Sequence, residues 1–444
     1  MTHSIKLLKS PKIIIPILFS LVITVLFLSK SDSTILGLFV LAALCFGYFF
    51  CFTLNKPEFG ILSSLFSMAF MVSYYEEMFF SLYIVYVAVL LAGLLYTVSH
   101  FSRSKIFYFL LFWIFLYYSI FLIIPRYEYS YVSWLVIMIA LLSIFIWTSL
   151  IKWNKERIFF IVIIYGSYLI VWGILEKIIY EPQRVSGPTG FATNYAILLS
   201  VLWTICFVNF CIEKKQGLFI IFWSIGILFC IFLSGTRLGI IGMLLGTFFG
   251  LCIWFFKTNK ETSIFKRIIK IAGILLVFGG GVYLAWSMLP NDLYIVKNLN
   301  ILLSGKIDNS TLGRLTAWYA AWDAFSNNII WGKGPGHFLD IHGEFLNKLP
   351  PMPVKKLPVA HNEILNILAE SGLAGFLHVS VIVAICLFIV INHIKKNPGD
   401  SIAIALLFAF FVLFALMMFD SSPSRGFDPW LLGVFASFGI AREK

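Results

Sequence analysis

Apolar residues run in blocks of roughly 15 to 23 along this chain, long enough to cross a hydrocarbon core as helices. Short polar stretches close each block, from "KIIIPILFSLVITVLFL" near the start to "WLLGVFASFGIA" near the end. The blocks predict spans near 13–28, 35–54, 59–72, 78–98, 106–124, 132–151, 158–180, 191–212, 217–233, 238–256, 268–289, 375–394, 401–419 and 429–441. Backbone groups in lipid must be satisfied within their own segment, so the spans are helices. The third and the last are short enough to be re-entrant or interfacial, which makes the expected count 12 to 14. The fold class is therefore all-α integral membrane, a polytopic bundle. The first run lacks a small-residue cleavage site and is followed at once by another span, so it reads as a helix and not as a cleaved signal.

Composition agrees with the pattern and removes one alternative. The 444 residues are 60% hydrophobic and 12% charged, with a formal net charge of +12. Such an excess can mark a nucleic-acid binder, but here the charges follow topology. With the N-terminus inside, 20 of the 33 basic residues fall in the alternate connections, among them Lys214, Lys215, Lys395 and Lys396. The short connections opposite hold six: Lys30, Arg126, Lys177, Arg184, Arg237 and Arg425. This is the positive-inside asymmetry, which puts both termini in the cytoplasm and leaves no need for a nucleic-acid partner. The seven cysteines all fall in or at the ends of spans, so neither a disulfide framework nor cysteine metal ligation is expected.

One long external segment, about 290 to 374, interrupts the bundle and divides the chain into four regions: 1–180, 181–289, 290–374 and 375–444. Within it, "STLGRLTAWYAAWDAFSNN" opens on Ser310 and Thr311 as capping candidates and sets Leu315, Trp318, Trp322 and Phe325 at helical spacing. That predicts an amphipathic helix lying on the membrane face or against the bundle. "WGKGPGHF" is a turn cluster, and "KLPPMPVKKLP" cannot be helical throughout. Beyond Pro358 a short helix is expected, with His361 at its start and Gly372 at its end, before the next span begins.

Sorting the external side by chemistry leaves Arg184, Arg237, Arg314 and His361. Forked guanidinium donors suit phosphate oxygens, and a histidine can take a proton from a hydroxyl. At a helix start the macrodipole disfavours the imidazolium of His361, while Glu363 offsets that effect. Plainer roles stand beside these. The arginines could pair with Asp308, Asp323 or lipid headgroups; His337 and His342 read as solvated loop histidines; Glu370 reads as a helix-end hydrogen-bond partner. Asp420, Arg425 and Asp428, in the last external turn, could be structural or contact an acceptor, and Trp318 and Trp322 are the aromatics most able to meet a sugar. No carboxylate cluster at metal-ligand spacing is visible, and no cofactor or metal is expected.

These residues lie in four pieces, "RVSGPTGFATNYAILL", "LSGTRLGIIGMLLG", "GRLTAWYAAWDAFSNNIIWGKGPGHF" and "AHNEILNILAESGLAGF". In that order they resemble the O-antigen ligase and polymerase superfamily of bacterial membrane glycosyltransferases, over roughly residues 180 to 440. In the second piece Leu238 stands between Arg237 and Gly239, where the family has Arg-Gly. The resemblance implies a GT-C-like helical fold in the inner membrane with a periplasmic site. It implies a glycan donor on undecaprenyl pyrophosphate and a glycolipid acceptor. It makes His361 the base and Arg237, Arg314 and Arg184 the pyrophosphate ligands, with Asn362, Glu370 and Trp318 in support. An O-antigen ligase is the first reading; a polymerase joining lipid-linked repeat units and an O-linked protein oligosaccharyltransferase share the motifs. A lipid-linked glycan transporter or flippase is the alternative of another class, but transporters gather ionisable residues near the bilayer midplane. Here the spans are nearly free of charge, with Glu176 and Lys177 at a span end.

Overall fold

The computed structural model describes residues 155–187, 192–213, 218–257, 269, 272–273, 309–334, 336–350 and 354–420. Eight helices carry the described chain: α1 (Lys155–Tyr180), α2 (Ala192–Ile212), α3 (Leu218–Ser234), α4 (Arg237–Lys257), α5 (Asn309–Asn327), α6 (Phe338–Asn347), α7 (Glu363–Lys396) and α8 (Ser401–Met417). The protein is an all-α integral membrane protein. Four helices, Ile158–Tyr180, Ala192–Ile212, Arg237–Phe255 and Glu363–Lys396, are long and apolar enough to cross a bilayer. Trp223–Ser234 and Ser401–Met417 are shorter apolar helices. The spans expected before residue 155, all but three residues of 268–289, and 429–441 lie outside the described residues.

The bundle is built around α2, which is buried along most of its length. Three of its polar side chains bond within the bundle: Tyr195 Oη donates to Leu169 O (2.7 Å), Trp203 Nε1 to Thr247 Oγ1 (3.0 Å) and Thr204 Oγ1 to Ser200 O (2.8 Å). α4 runs parallel to α2 along a glycine seam. A Cβ at Gly239 would meet Ala196, one at Gly242 Ser200, one at Gly246 Thr204, and one at Gly250 Phe207. Lipid provides no hydrophobic drive between helices, so this close backbone approach supplies the dispersion contact that holds them.

The two ends of the bundle are distinguishable. At one, Ser401 Oγ donates to Glu213 Oε1 (2.6 Å), Asp400 caps α8 by accepting from Ala403 N (3.2 Å), and His393 Nε2 meets Asp400 Oδ2 at 2.9 Å. At the other lie the starts of α2 and α4, the end of α8, and a cap made of α5, α6 and the first part of α7. The cap has a core of its own, in which Ala317, Ala320, Ala321 and Ala324 of α5 pack with Phe338, Ile341 and Ala369. This corrects the expected face of that helix. Alanines, not Leu315, Trp318, Trp322 and Phe325, are buried, because small side chains let α5 come close to α6 and α7, while Trp322 turns outward. Ser310 and Thr311 lie inside α5, whose first residue is Asn309.

α7 breaks where expected, at Gly372 (φ 62°, ψ −162°), but resumes at once without a loop. The break is bonded to the turn after α5. Leu373 N donates to Ile329 O (2.8 Å) and Ala374 N to Ile330 O (3.0 Å), while Lys333 N donates to Ala369 O (2.8 Å) and Gly334 N to Glu370 O (2.7 Å). Carbonyls and amides freed by the break are thereby satisfied. Gly332 and Gly372 both have positive φ, and a Cβ on either would overlap the other segment's backbone.

Candidate active site

His361 is placed by a backbone that only local bonding can hold. Its φ is +52°, a left-handed conformation sparsely populated by non-glycine residues. On one side Ala360 N donates to Asn366 Oδ1 (3.0 Å); on the other Trp318 Nε1 donates to His361 O (3.3 Å). The next residue, Asn362, is extended (φ −159°) and is the N-cap of α7, its Oδ1 accepting from Leu365 N at 3.0 Å. Its Nδ2 donates to Met418 O (2.9 Å), which ties the start of α7 to the end of α8. His361 thus stands just outside the helix, not in its first turn.

That tie brings Asp420 to the histidine. Nδ1 of His361 lies 2.8 Å from Asp420 Oδ1, and Arg314 Nη2 lies 3.9 Å from the other carboxylate oxygen. The Asp420 side chain is 5% exposed, those of His361 and Arg314 23% and 28%, so a shielded carboxylate faces two groups still open to a ligand. A carboxylate oxygen accepts, so Nδ1 is the donor of this bond, and in the neutral ring the lone pair then lies on Nε2. Asp420 meets both the ring and Arg314, while Asp323 pairs with Lys348 (3.0 Å). The sequence left Asp420 between a structural and an acceptor-contacting role. It lies 59 residues beyond His361, and only the packing of α7 on α8 joins them.

The other arginines gather at a neighbouring turn on the same end. Arg184 Nε donates to Ser234 O (3.1 Å) and its Nη2 to Thr236 Oγ1 (3.0 Å), so it braces the α3–α4 turn. Arg237 is the first residue of α4 and is half-buried. The loop bearing Arg184 is folded back by Glu176, whose carboxylate accepts from Ser186 N (2.9 Å) and Gly187 N (2.7 Å). Two of the forked donors of Arg184 are thus spent on the protein. Glu370 has the helix-end role expected of it, Oε1 accepting from Phe338 N at 3.2 Å.

Neither loop histidine is solvated; both are buried. His342 Nδ1 accepts from Leu357 N (2.9 Å), and Thr316 Oγ1 gives its proton to Gly313 O (2.9 Å), which leaves His342 Nε2–H to donate to that hydroxyl across 3.2 Å. Burial, and then the neighbouring His361, hold the His342 pKa below the ordinary histidine range. His337 precedes α6 and lies 3.4 Å from Asp340 Oδ2. The phenyl ring of Phe338 lies stacked beside the imidazole of His342, ring centroids 6.2 Å apart.

The class that emerges is an all-α membrane protein whose extramembrane cap presents a histidine–carboxylate pair beside an arginine. Residues 221–380 match the family described as O-antigen ligase, and this match supports the resemblance to the O-antigen ligase and polymerase superfamily, a family of glycosyltransferase-like enzymes acting on lipid-linked glycans. The matched stretch holds Arg237, Arg314 and His361 and stops short of Asp420. No curated protein matches the chain.

Proposed function

We propose that the protein is an O-antigen ligase, moving a glycan from undecaprenyl pyrophosphate to a sugar hydroxyl of lipid A-core at the periplasmic face of the inner membrane. The observation that carries this reading is the 2.8 Å contact between His361 Nδ1 and Asp420, with Arg314 at the far oxygen. Nε2 of His361 takes the proton of the acceptor hydroxyl as its oxygen bonds to the anomeric carbon. The bond from that carbon to the pyrophosphate oxygen breaks, and the lipid pyrophosphate leaves with the electron pair. Attack opposite the leaving group inverts the anomeric centre. Asp420 holds the ring tautomer and offsets the imidazolium that forms, a service of the kind worth typically 10²- to 10⁴-fold.

Arg314 and Arg237 are assigned to the pyrophosphate, where charge grows as the bond breaks. Arg184 is assigned to positioning Arg237, because its own donors already hold Ser234 and Thr236. Trp318 and Asn362 position His361 through the backbone bonds described above. The helices α1 to α4 and α8, with the second part of α7, are assigned to the membrane scaffold, and α5, α6 and the first part of α7 to the cap.

Lipopolysaccharide gels of a deletion strain test the assignment. Loss of the whole ladder with lipid-linked polymer retained means ligase; core bearing one repeat unit means polymerase and overturns the first reading. Reporter fusions test the sidedness: one near Lys333 should read periplasmic, and ones after Lys215 and Lys396 cytoplasmic.

A further inference from the structure

The turn after α5 exposes three consecutive apolar side chains, Ile329, Ile330 and Trp331, between 48% and 61% accessible. Consecutive exposed apolar residues are unfavourable in water and mark a contact with something apolar. The position of this turn says what that is. Its carbonyls 329 and 330 accept from Leu373 N and Ala374 N, immediately past the break at Gly372, where α7 begins its apolar run. Leu373 and Leu377, near the start of that run, are themselves exposed, and so are Val381 and Phe388 further along. The turn therefore stands level with the point where α7 enters the bilayer, continuous with the outward apolar surface of the span. Beyond Gly332 comes Lys333, exposed and basic, and on α5 Tyr319 and Trp322 are exposed as well. Apolar side chains flanked by tryptophan, tyrosine and lysine are the composition of a membrane–water boundary.

We infer that residues 329–331 form a wedge that inserts into the lipid–water interface on the cap side and so fixes the height of His361 above the membrane. The weld is rigid: four backbone hydrogen bonds cross it, and neither Gly332 nor Gly372 has room for a Cβ. From the weld, the first part of α7 rises nine residues to its N-cap, about 14 Å at 1.5 Å per residue. A wedge held at the interface therefore carries the histidine at a set distance from the headgroups, within reach of a sugar on a membrane-bound pyrophosphate. This last step rests on the proposed transfer reaction, whereas insertion of the wedge does not.

A nitroxide on Ile330→Cys, in protein reconstituted into bilayers, reads the depth directly; labelled wild type is measured in parallel to subtract the native thiols. Asp340→Cys, on the exposed face of α6, is the aqueous reference. The expected result is strong relaxation by oxygen and weak relaxation by a water-soluble nickel chelate at 330, with the reverse at 340. Nickel access at 330 equal to that at 340, or exclusion of both reagents by covering protein, overturns the wedge. In a second arm, Ile330→Asp should raise the KM for the lipid-linked donor about tenfold and leave kcat within about twofold. A KM unchanged by Ile330→Asp overturns the setting of height. Wild-type protein that inserts at 330 yet transfers no glycan refutes the transferase reading alone and leaves the wedge standing.

Discussion

In the bundle, Gly239, Gly242, Gly246 and Gly250 lie in helical backbone and remove side chains so that α4 can approach α2. In the cap, Gly332 and Gly372 leave helical backbone altogether and let one main chain hydrogen-bond to another. The difference follows from solvent. In lipid every amide must be satisfied within its helix, so glycine there serves packing; outside, a helix can be broken if a neighbouring turn supplies the lost partners. The same contrast appears in the polar groups. Those of the bundle bond back to their own or an adjacent helix, as Thr204 and Trp203 do, whereas those of the cap join distant segments, as His361 and Asp420 do.

Substitution of the cap glycine should break that contrast most severely. Gly372→Val forces a branched side chain into a conformation essentially restricted to glycine, against the carbonyl of Ile330, so the weld should open and transfer should fall below detection. Limited proteolysis after Trp331 should become rapid while the bundle stays inserted. Gly246→Ala, set against Thr204, should cost only about 1–3 kcal/mol, seen as a modest drop in thermal midpoint in detergent with activity retained at low temperature.

Next in size is the carboxylate. Asp420→Asn keeps the shape but can present its amide to Nδ1, allowing the wrong tautomer, so kcat should drop by about 10²-fold or more with donor KM little changed. Arg314→Lys keeps the charge and loses the fork; a fall of about tenfold or more, with normal insertion, is expected if the guanidinium grips two phosphate oxygens. Wild-type rates in that variant would make Arg314 a mere counter-charge for Asp420.

How much of this was legible beforehand follows the same division. The spans were: the runs 158–180 and 401–419 became α1 and α8 within a few residues, because length and apolarity alone decide a helix in lipid. The break at Gly372 was legible from its place before an apolar run. Arg314 and His361, singled out from residue chemistry, both meet Asp420, while their part in transfer belongs to the proposal. The pairing of His361 with Asp420 was not legible, since nothing local in "MMFDSS" points 59 residues back. Nor was the alanine face of α5, where a rule favouring large apolar side chains fails because helix proximity is set by small ones. His342 was misread for a related reason: a histidine in a polar loop looks solvated until the backbone amide of Leu357 is seen bonded to it.

The smallest expected effect concerns that histidine. Its folded pKa lies below the unfolded value, so the unfolded chain binds the extra proton. Stability is therefore full above about pH 6.5 and declines as pH falls from there through the folded pKa. The thermal midpoint should fall by a few degrees between pH 7.5 and 5.5, and His342→Gln should flatten that dependence. An equal slope in the variant assigns the acid sensitivity elsewhere.

The most direct test of the central claim is a transfer assay with purified lipid-linked donor and acceptor, comparing wild type with His361→Ala and His361→Gln, and with donor binding measured on the same samples. Removing the imidazole removes the group proposed to take the acceptor proton, so both variants should bind donor within about twofold of wild type and turn it over at least about 10²-fold more slowly, with no recovery from glutamine. Transfer by His361→Ala at close to the wild-type rate would contradict the account, leaving the pair with Asp420 as a structural clasp between α7 and α8.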